Sequence, residues 1–133
     1  MLNDEAGSTS LAVIGAVGLV LVLALWLTAL GVVMRARLDA TTAADAAALA
    51  AAPVTFLPFG AKGAAASEAA RFAELNGTQL VWCECPLDQS FDSRTVEVRV
   101  VKSVHIPILG LTRIEATGRA VFAPALLLAG ADG

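Results

Sequence analysis

The sequence is poor in the residue types on which most binding and catalytic sites depend. Among its 133 residues there is no tyrosine, one histidine and two cysteines, and aromatic residues make up 5%. So few aromatic side chains give no platform for stacking bases, and a net charge of −3 gives no basic surface for a phosphate backbone. The cysteines and the histidine also lack zinc-site spacing. We therefore predict no nucleic-acid partner, no metal and no cofactor.

Catalytic side chains are equally scarce. His105 alternates with polar neighbours in a predicted strand, so we interpret it as a solvated strand residue. Asp88 and Asp92 lie in a serine-containing loop without the spacing of an EF-hand, so a solvated loop is favoured over a weak calcium site. No nucleophile stands beside a base, and we do not expect an enzyme.

Charge is absent from a long N-terminal run. The stretch Ala6–Met34 contains no charged residue, and Leu11–Met34 reads LAVIGAVGLVLVLALWLTALGVVM. As a helix this run exceeds the roughly 30 Å of a hydrocarbon core, and a chain of this length has too little core to bury it. A secretory signal peptide would have a shorter apolar region and a basic front, whereas Asp4 and Glu5 are acidic. We therefore predict that a single helix crosses the lipid bilayer, which is the first predicted partner.

The helix is predicted to continue beyond the apolar run. Arg35 and Arg37 suit the headgroup level, and the following tract up to Ala52 is rich in alanine, the best helix former. Pro53 discourages continuation. A transmembrane and stalk helix over residues 8–52 would be about 67 Å long. Its second half would stand outside the bilayer with small side chains that allow close packing on a partner.

Five residues within this helix are candidate packing positions: Gly15, Gly18, Gly31, Asp45 and Ala47. Glycine lets neighbouring membrane helices approach closely. Gly15 and Gly18 are three residues apart and form no GxxxG pair, so ordinary lipid-facing glycine is the competing interpretation. Asp45 has two interpretations as well, a partner on a neighbouring subunit or a solvated position on the stalk.

The remainder predicts a small α+β domain over residues 63–123, between a connector (53–62) and a flexible tail (124–133). Residues 1–7 are a short leader. Three alternating segments indicate an antiparallel sheet with one solvated face, covered by a helix; the predicted elements are a helix at Gly63–Asn76 and strands at Thr78–Cys85, Arg94–Ile106 and Thr112–Phe122. Lys102 interrupts the second strand's alternation and is interpreted as a bulge.

Cys83 and Cys85 are the only residues with redox potential. Side chains two apart in a strand share a face, but their Cα atoms lie about 6.5–7 Å apart, at the edge of disulfide geometry. Pro86 could distort the strand enough for closure. A local disulfide and a pair of free or partner-linked thiols both remain open at this point.

The N-terminal third resembles a known family. The features that carry the resemblance are a glycine before the apolar helix, then Arg35, Arg37, Leu38 and the tract AADAAALA at residues 43–50. These resemble the TadE/TadG-like proteins of tight-adherence (Flp, type IVc) pilus systems, of actinobacterial type. The resemblance implies a pilin-like membrane protein with an extracytoplasmic domain, and other pilins or Tad assembly proteins as partners.

The family's processing motif is a glycine cut by a prepilin peptidase, with a glutamate at the fifth mature position. Gly7 and Ser8 would form this site, with the peptidase as a further candidate partner, but the fifth mature residue would be Ala12. A minor pilin, or an uncleaved TadG-like anchor, therefore fits better than a major pilin. Arg35 and Arg37 alone would place the domain in the cytoplasm; the resemblance places it outside the cell membrane, or in a surface pilus, and we follow the resemblance.

A second hypothesis is a single-pass, membrane-anchored binding or regulatory module that enters no filament. Trp82, Phe91 and Phe122 would then line a ligand site. Oligomeric state after gentle extraction separates the two hypotheses, because a pilin assembles with sister subunits and a receptor does not need to.

Overall fold

The computed structural model describes residues 4–56 and 64–130, with side chains from Thr9 onward. A long helix is followed by a small domain of short helices and strands, which confirms the predicted α+β class. In chain order the elements are α1 (Asp4–Val54), α2 (Ala64–Leu75), β1 (Gln79–Glu84), β2 (Arg94–Ile106), β3 (Gly110–Phe122) and α3 (Ala125–Ala129). Residues 1–3 of the predicted leader, most of the predicted connector and the last three residues of the tail lie outside the described residues.

Helix α1 is one continuous element of 51 residues, about 76 Å long at the standard rise. Pro53 lies in its last turn, so the helix ends two residues later than the sequence predicts. Beyond it, the Thr55 N–H donates to Ala52 O (3.3 Å) and the Phe56 N–H donates to Pro53 O (3.2 Å). The Thr55 hydroxyl donates to the same Ala52 carbonyl at 2.6 Å. These short-range bonds satisfy carbonyls that a helix end leaves without partners.

The three strands form an antiparallel sheet in the order β1-β2-β3. Pairing between β2 and β3 is unbroken, and Lys102 pairs with Ile114, so the bulge expected at Lys102 is wrong. The register shift lies instead in β1, between Leu80 and Trp82. Lys102 keeps its place on the helix-facing side because an acid on α1, Asp39, accepts from its ammonium group at 2.8 Å.

The core lies between the sheet and two helices. Val96, Val98 and Val100 of β2 are fully buried on the helix-facing side, as the alternation predicts. Helix α1 packs across β2 and β3, while α2 lies beside α1 and against β1. Both helices therefore cover the sheet, whereas the sequence predicted that α2 alone would cover it. The alanines that α1 and α2 bury in this core are Ala43, Ala44, Ala47, Ala48, Ala51, Ala52, Ala65, Ala69 and Ala73.

Helix α1 and strand β3 meet almost backbone to backbone. Gly118 is buried on the helix-facing side of β3. A Cβ atom added there would collide with the Ala44 carbonyl group and would lie 2.6 Å from the amide nitrogen of Asp45. Small residues are thus required on both sides of the contact, which explains the alanine tract of α1 in physical terms.

The segment predicted as a flexible tail contains the short helix α3. Pro124 occupies its N-terminal boundary and Gly130 its C-terminal one. Leu126, Leu127 and Leu128 are exposed, so few contacts hold this helix to the domain. Flexibility of residues 124–133 stays a prediction.

The close approach at Gly118 gives a direct stability test. Gly118→Ala should lower the free energy of unfolding by about 2 kcal/mol, because the added methyl group forces α1 and β3 apart. The measurement is thermal unfolding of the full chain in detergent micelles. Gly130→Ala is the matched control, since no atom of the described residues lies within 4 Å of its added Cβ. Equal unfolding midpoints for the two variants would contradict the packing described here.

Candidate membrane-anchoring and assembly site

The first half of α1 exposes a continuous apolar surface. Most of its large side chains from Leu11 to Met34 lie open to the surroundings, with Leu11 at 73% and Trp26 at 67% exposure, while Val32 and Val33 are half-buried. The helix from Thr9 onward has an 18-residue window of mean hydropathy 2.6, none of it buried within the chain, and it is long and apolar enough to cross a membrane. Water is a poor solvent for such a surface, so this half of α1 fits a membrane anchor.

The three predicted packing glycines lie on this exposed half. Among residues 4–56 and 64–130, no atom lies within 4 Å of a Cβ added at Gly15, Gly18 or Gly31. At about 100° per residue, Gly15 and Gly18 are separated by roughly 60° around the helix axis, whereas Gly31 is roughly 160° from Gly15. The first two therefore share a face on which a neighbouring helix could approach, and Gly31 lies nearly opposite.

The other two predicted packing positions have different surroundings from each other. Asp45 is exposed, so its carboxylate is accessible from outside the domain. Ala47 is fully buried against the chain's own core. The alanine stalk that was predicted to pack on a partner is thus covered by the domain of the same chain, and Ala47 is not available to a second subunit.

An ion pair ties the sheet to α1 just above the apolar run. Lys102 Nζ lies 2.8 Å from Asp39 Oδ2. The hydrogen bond from Lys102, aided by the charges of Lys102 and Arg35, holds the pKa of Asp39 below its ordinary value of 3.8. A lowered folded-state pKa means that the pair stabilises the fold at neutral pH, and that this contribution is lost as the pH falls through the lowered pKa.

Arg94 organises the far end of the domain, a role that was not predicted from the sequence. Its side chain is buried at 8% exposure, and its guanidinium lies 5.7 Å from the centre of the Phe56 ring. Within the part of the chain that the structure describes, its hydrogen-bond acceptors are all main-chain carbonyls. It donates to the carbonyls of Asp88 (2.8 Å), Thr55 (3.3 Å), Asp92 (3.3 Å) and Ser90. The signal was available, because Arg94 falls on the helix-facing side of the alternation.

The loop that Arg94 holds also has internal order. The Asp88 carboxylate accepts from the Ser90 N–H (2.9 Å) and from its hydroxyl (2.7 Å), and these bonds lower the pKa of Asp88. The Asp88 N–H donates to Thr55 O at 3.1 Å. Within residues 4–56 and 64–130, no group of three or more His, Cys, Asp or Glu side chains could hold a metal ion. His105 is exposed on β2.

Cys83 and Cys85 are joined by a disulfide, with their Cα atoms 5.5 Å apart. This separation is shorter than in an ideal strand and lies within the ordinary disulfide range.

The aromatic residues considered for a ligand site are divided between two places. Phe91 and Phe122 pack on Phe56, with ring centres 5.3 and 6.4 Å apart. Trp82 instead lies beneath Arg99 at 5.6 Å. The structure therefore brings Phe91 and Phe122 together and leaves Trp82 elsewhere.

These features define a class, an α+β protein with one long helix. The first half of this helix fits a membrane anchor, and the second half belongs to the domain core. Residues 7–54 match the family model described as "Putative Flp pilus-assembly TadE/G-like". The match covers just over a third of the chain and nearly the whole of α1. No curated protein and no solved structure matches the chain.

Nearly all of helix α1 therefore matches a TadE/G-like pilus-assembly domain, and this match supports a Tad/Flp pilus-related function. The actinobacterial assignment stays a prediction. So does processing at Gly7 and Ser8, where the backbone is helical and the match to the family begins.

The Arg94 cluster yields a local test. Arg94→Lys should accelerate hydrogen exchange at the Asp88 amide roughly tenfold, because a single ammonium cannot satisfy carbonyls that a planar guanidinium bridges. Exchange is measured by NMR or mass spectrometry on the full chain in micelles. Arg119→Lys is the control, because Arg119 pairs with Glu97 on the exposed side of the sheet and should leave the Asp88 rate unchanged. Identical rates in both variants would show that Arg94 does not hold the loop.

Proposed function

We propose that this protein is a minor pilin or pilus-assembly component of a Tad/Flp pilus. It is anchored in the cell membrane by one helix and carries its small domain on the extracytoplasmic side. The observation that supports this most strongly is the division of α1 into two halves. The TadE/G-like helix exposes most of its apolar half, while its alanine-rich half is fixed within the chain's own core.

Membrane anchoring is supported by length and by the charged boundary. Twenty residues from Leu11 to Leu30 cover about 30 Å, the thickness of a hydrocarbon core. Arg35 and Arg37 follow within two turns and are exposed, where they can reach phosphate groups. The anchor and the domain share one unbroken helix, so the domain has a fixed height above the bilayer.

Assembly is proposed to use the face that contains Gly15 and Gly18. Association of helices in lipid gains nothing from the hydrophobic effect, because lipid tails are as apolar as leucine. Close approach of backbones gains dispersion energy instead, and glycine permits that approach. Ala47 plays no part, since the domain already covers it; Asp45 remains open to a partner group.

The extracytoplasmic orientation is supported by the Cys83–Cys85 disulfide, because such bonds persist in oxidising compartments and are rare in the cytosol. The positive charges of Arg35 and Arg37 favour the opposite orientation. The pilus-assembly match and the disulfide agree with each other, and we follow them. Ala12 in place of a glutamate favours a minor or uncleaved subunit over a major pilin.

A double substitution tests assembly through the glycine face. Gly15→Leu with Gly18→Leu should reduce the share of the protein found in sheared pili roughly fivefold relative to the membrane pool, equivalent to ~1 kcal/mol of lost packing. The measurement is quantitative immunoblotting of both fractions in cells that assemble the pilus.

Gly31→Leu is the matched control, because it makes the same change on the opposite face and should keep the wild-type distribution. Wild-type incorporation of the double variant would overturn packing through this face, and equal losses in the double variant and the control would also count against it. Absence of the wild-type protein from sheared pili, with a monomer after gentle extraction, would favour the membrane-anchored binding module instead.

A further inference from the structure

We propose that the tip of the β2–β3 hairpin is a second membrane contact, inserted into the bilayer interface on the same side as the domain. The tip comprises residues 107–111, Pro-Ile-Leu-Gly-Leu. Ile108, Leu109 and Leu111 are exposed at 75%, 72% and 76%. The proposal rests on the membrane anchor proposed above, and it adds a lipid-binding surface outside the helix.

The hairpin tip packs against the apolar run of α1 and reaches past the arginines that follow this run. Trp26 and Ala29 of α1 line a small cavity of about 50 Å³ together with Pro107, Ile108 and Leu109. One turn further along α1, Leu30 and Val33 line a neighbouring cavity with Ile106 and Leu109. The hairpin therefore runs down the helix past Arg35, and its apolar end is level with residues that the anchor places in or next to lipid.

The depth agrees with that of an interfacial segment. If Leu11–Leu30 spans the hydrocarbon core, Trp26 lies about 6 Å inside its edge. Interfacial apolar segments reach about 5–10 Å into this boundary, and tryptophan is enriched at the same level. The apolar run continues from Gly31 to Met34, which is more than a minimal span requires. The hairpin lies beside these additional apolar residues of α1.

The turn at the tip has an apolar residue where the backbone favours glycine. The Leu109 N–H donates to Ile106 O at 3.2 Å, with Pro107 and Ile108 between them. Ile108 has φ +75°, so this is the pattern of a type II turn, whose third position ordinarily holds glycine or asparagine. A β-branched residue is strained at positive φ. The sequence thus retains a large apolar side chain at an exposed, unfavourable position, as expected if that side chain has an apolar environment to enter.

Cationic groups lie above the apolar tip, where anionic headgroups would be. Arg37 of α1 and Arg113 of β3 line one groove of about 520 Å³ between the helix and the sheet. Glu115 lines the groove, and Lys102 is paired with Asp39. The apolar side chains of the tip lie toward the bilayer centre and the arginines lie farther from it, which is the order of acyl chains and phosphates in a lipid leaflet. This order favours lipid over a second copy of the protein as the partner of the tip.

Fluorescence quenching by brominated lipids tests the contact in the full chain. Trp26→Phe and Trp82→Phe remove the native tryptophans, and Ile108→Trp places a single reporter at the tip. The protein is reconstituted in vesicles of phosphatidylcholine and phosphatidylglycerol, with or without bromine high on the acyl chains. We expect at least twofold quenching of the Ile108→Trp reporter. Leu111→Trp is a second reporter in case Ile108→Trp does not fold.

Two reporters in the same background act as controls. Leu23→Trp lies in the proposed anchor and should be quenched, whereas Val121→Trp lies exposed at the opposite end of the hairpin and should not. Quenching at Leu23→Trp but at neither tip reporter would overturn this inference and leave the anchor intact. Absence of quenching at Leu23→Trp would overturn the anchor and the inference together. Tip emission that is shielded only at high protein-to-lipid ratio would assign the tip to a second copy and also overturn the inference.

Discussion

The structure depends on the close contact between the second half of α1 and strand β3. At Gly118 the two backbones approach so closely that no side chain fits between them, and the flanking alanines of α1 are fully buried. Because a helix is stiff along its axis, this contact determines the direction and height of the apolar half relative to the domain. The Lys102–Asp39 pair strengthens the same contact close to the proposed bilayer surface.

The alanine residues of this chain favour a helix and also provide a surface for close packing, and the sequence alone does not distinguish the two roles. A tract such as residues 43–50 favours a helix and also offers a surface for close packing, whether on another subunit or on the chain itself. In this protein the sheet of the same chain occupies it. Among the surfaces that remain exposed for other molecules are the apolar half of α1, the outer side of the sheet and the hairpin tip. The proposed anchoring and assembly therefore use a different part of the helix from the one that stabilises the domain.

Much of the fold could be predicted, because its signals are local. The apolar run and the alternation in β2 and β3 are patterns of neighbouring residues, and both predicted elements of the right kind with nearly the right bounds.

The features that were predicted wrongly or missed depend on contacts between residues that are far apart in the sequence. Lys102 broke the pattern, and only Asp39, far away in sequence, explains why it faces the helix. The role of Gly118 depends on a partner backbone, and the four carbonyls around Arg94 come from a loop and a helix end. Of the predicted packing positions, Ala47 alone among those described became part of the core.

Hydrogen exchange along α1 in a lipid bilayer tests the central claim most directly. If the alanine-rich half of the helix is the core of the domain, amides from Ala43 to Ala52 should exchange as slowly as those of Val96, Val98 and Val100, because they open in one cooperative unit. A helix half that is a free stalk would exchange on its own, faster than the sheet. Equal, slow exchange is the result predicted here, and faster exchange confined to Ala43–Ala52 would contradict it.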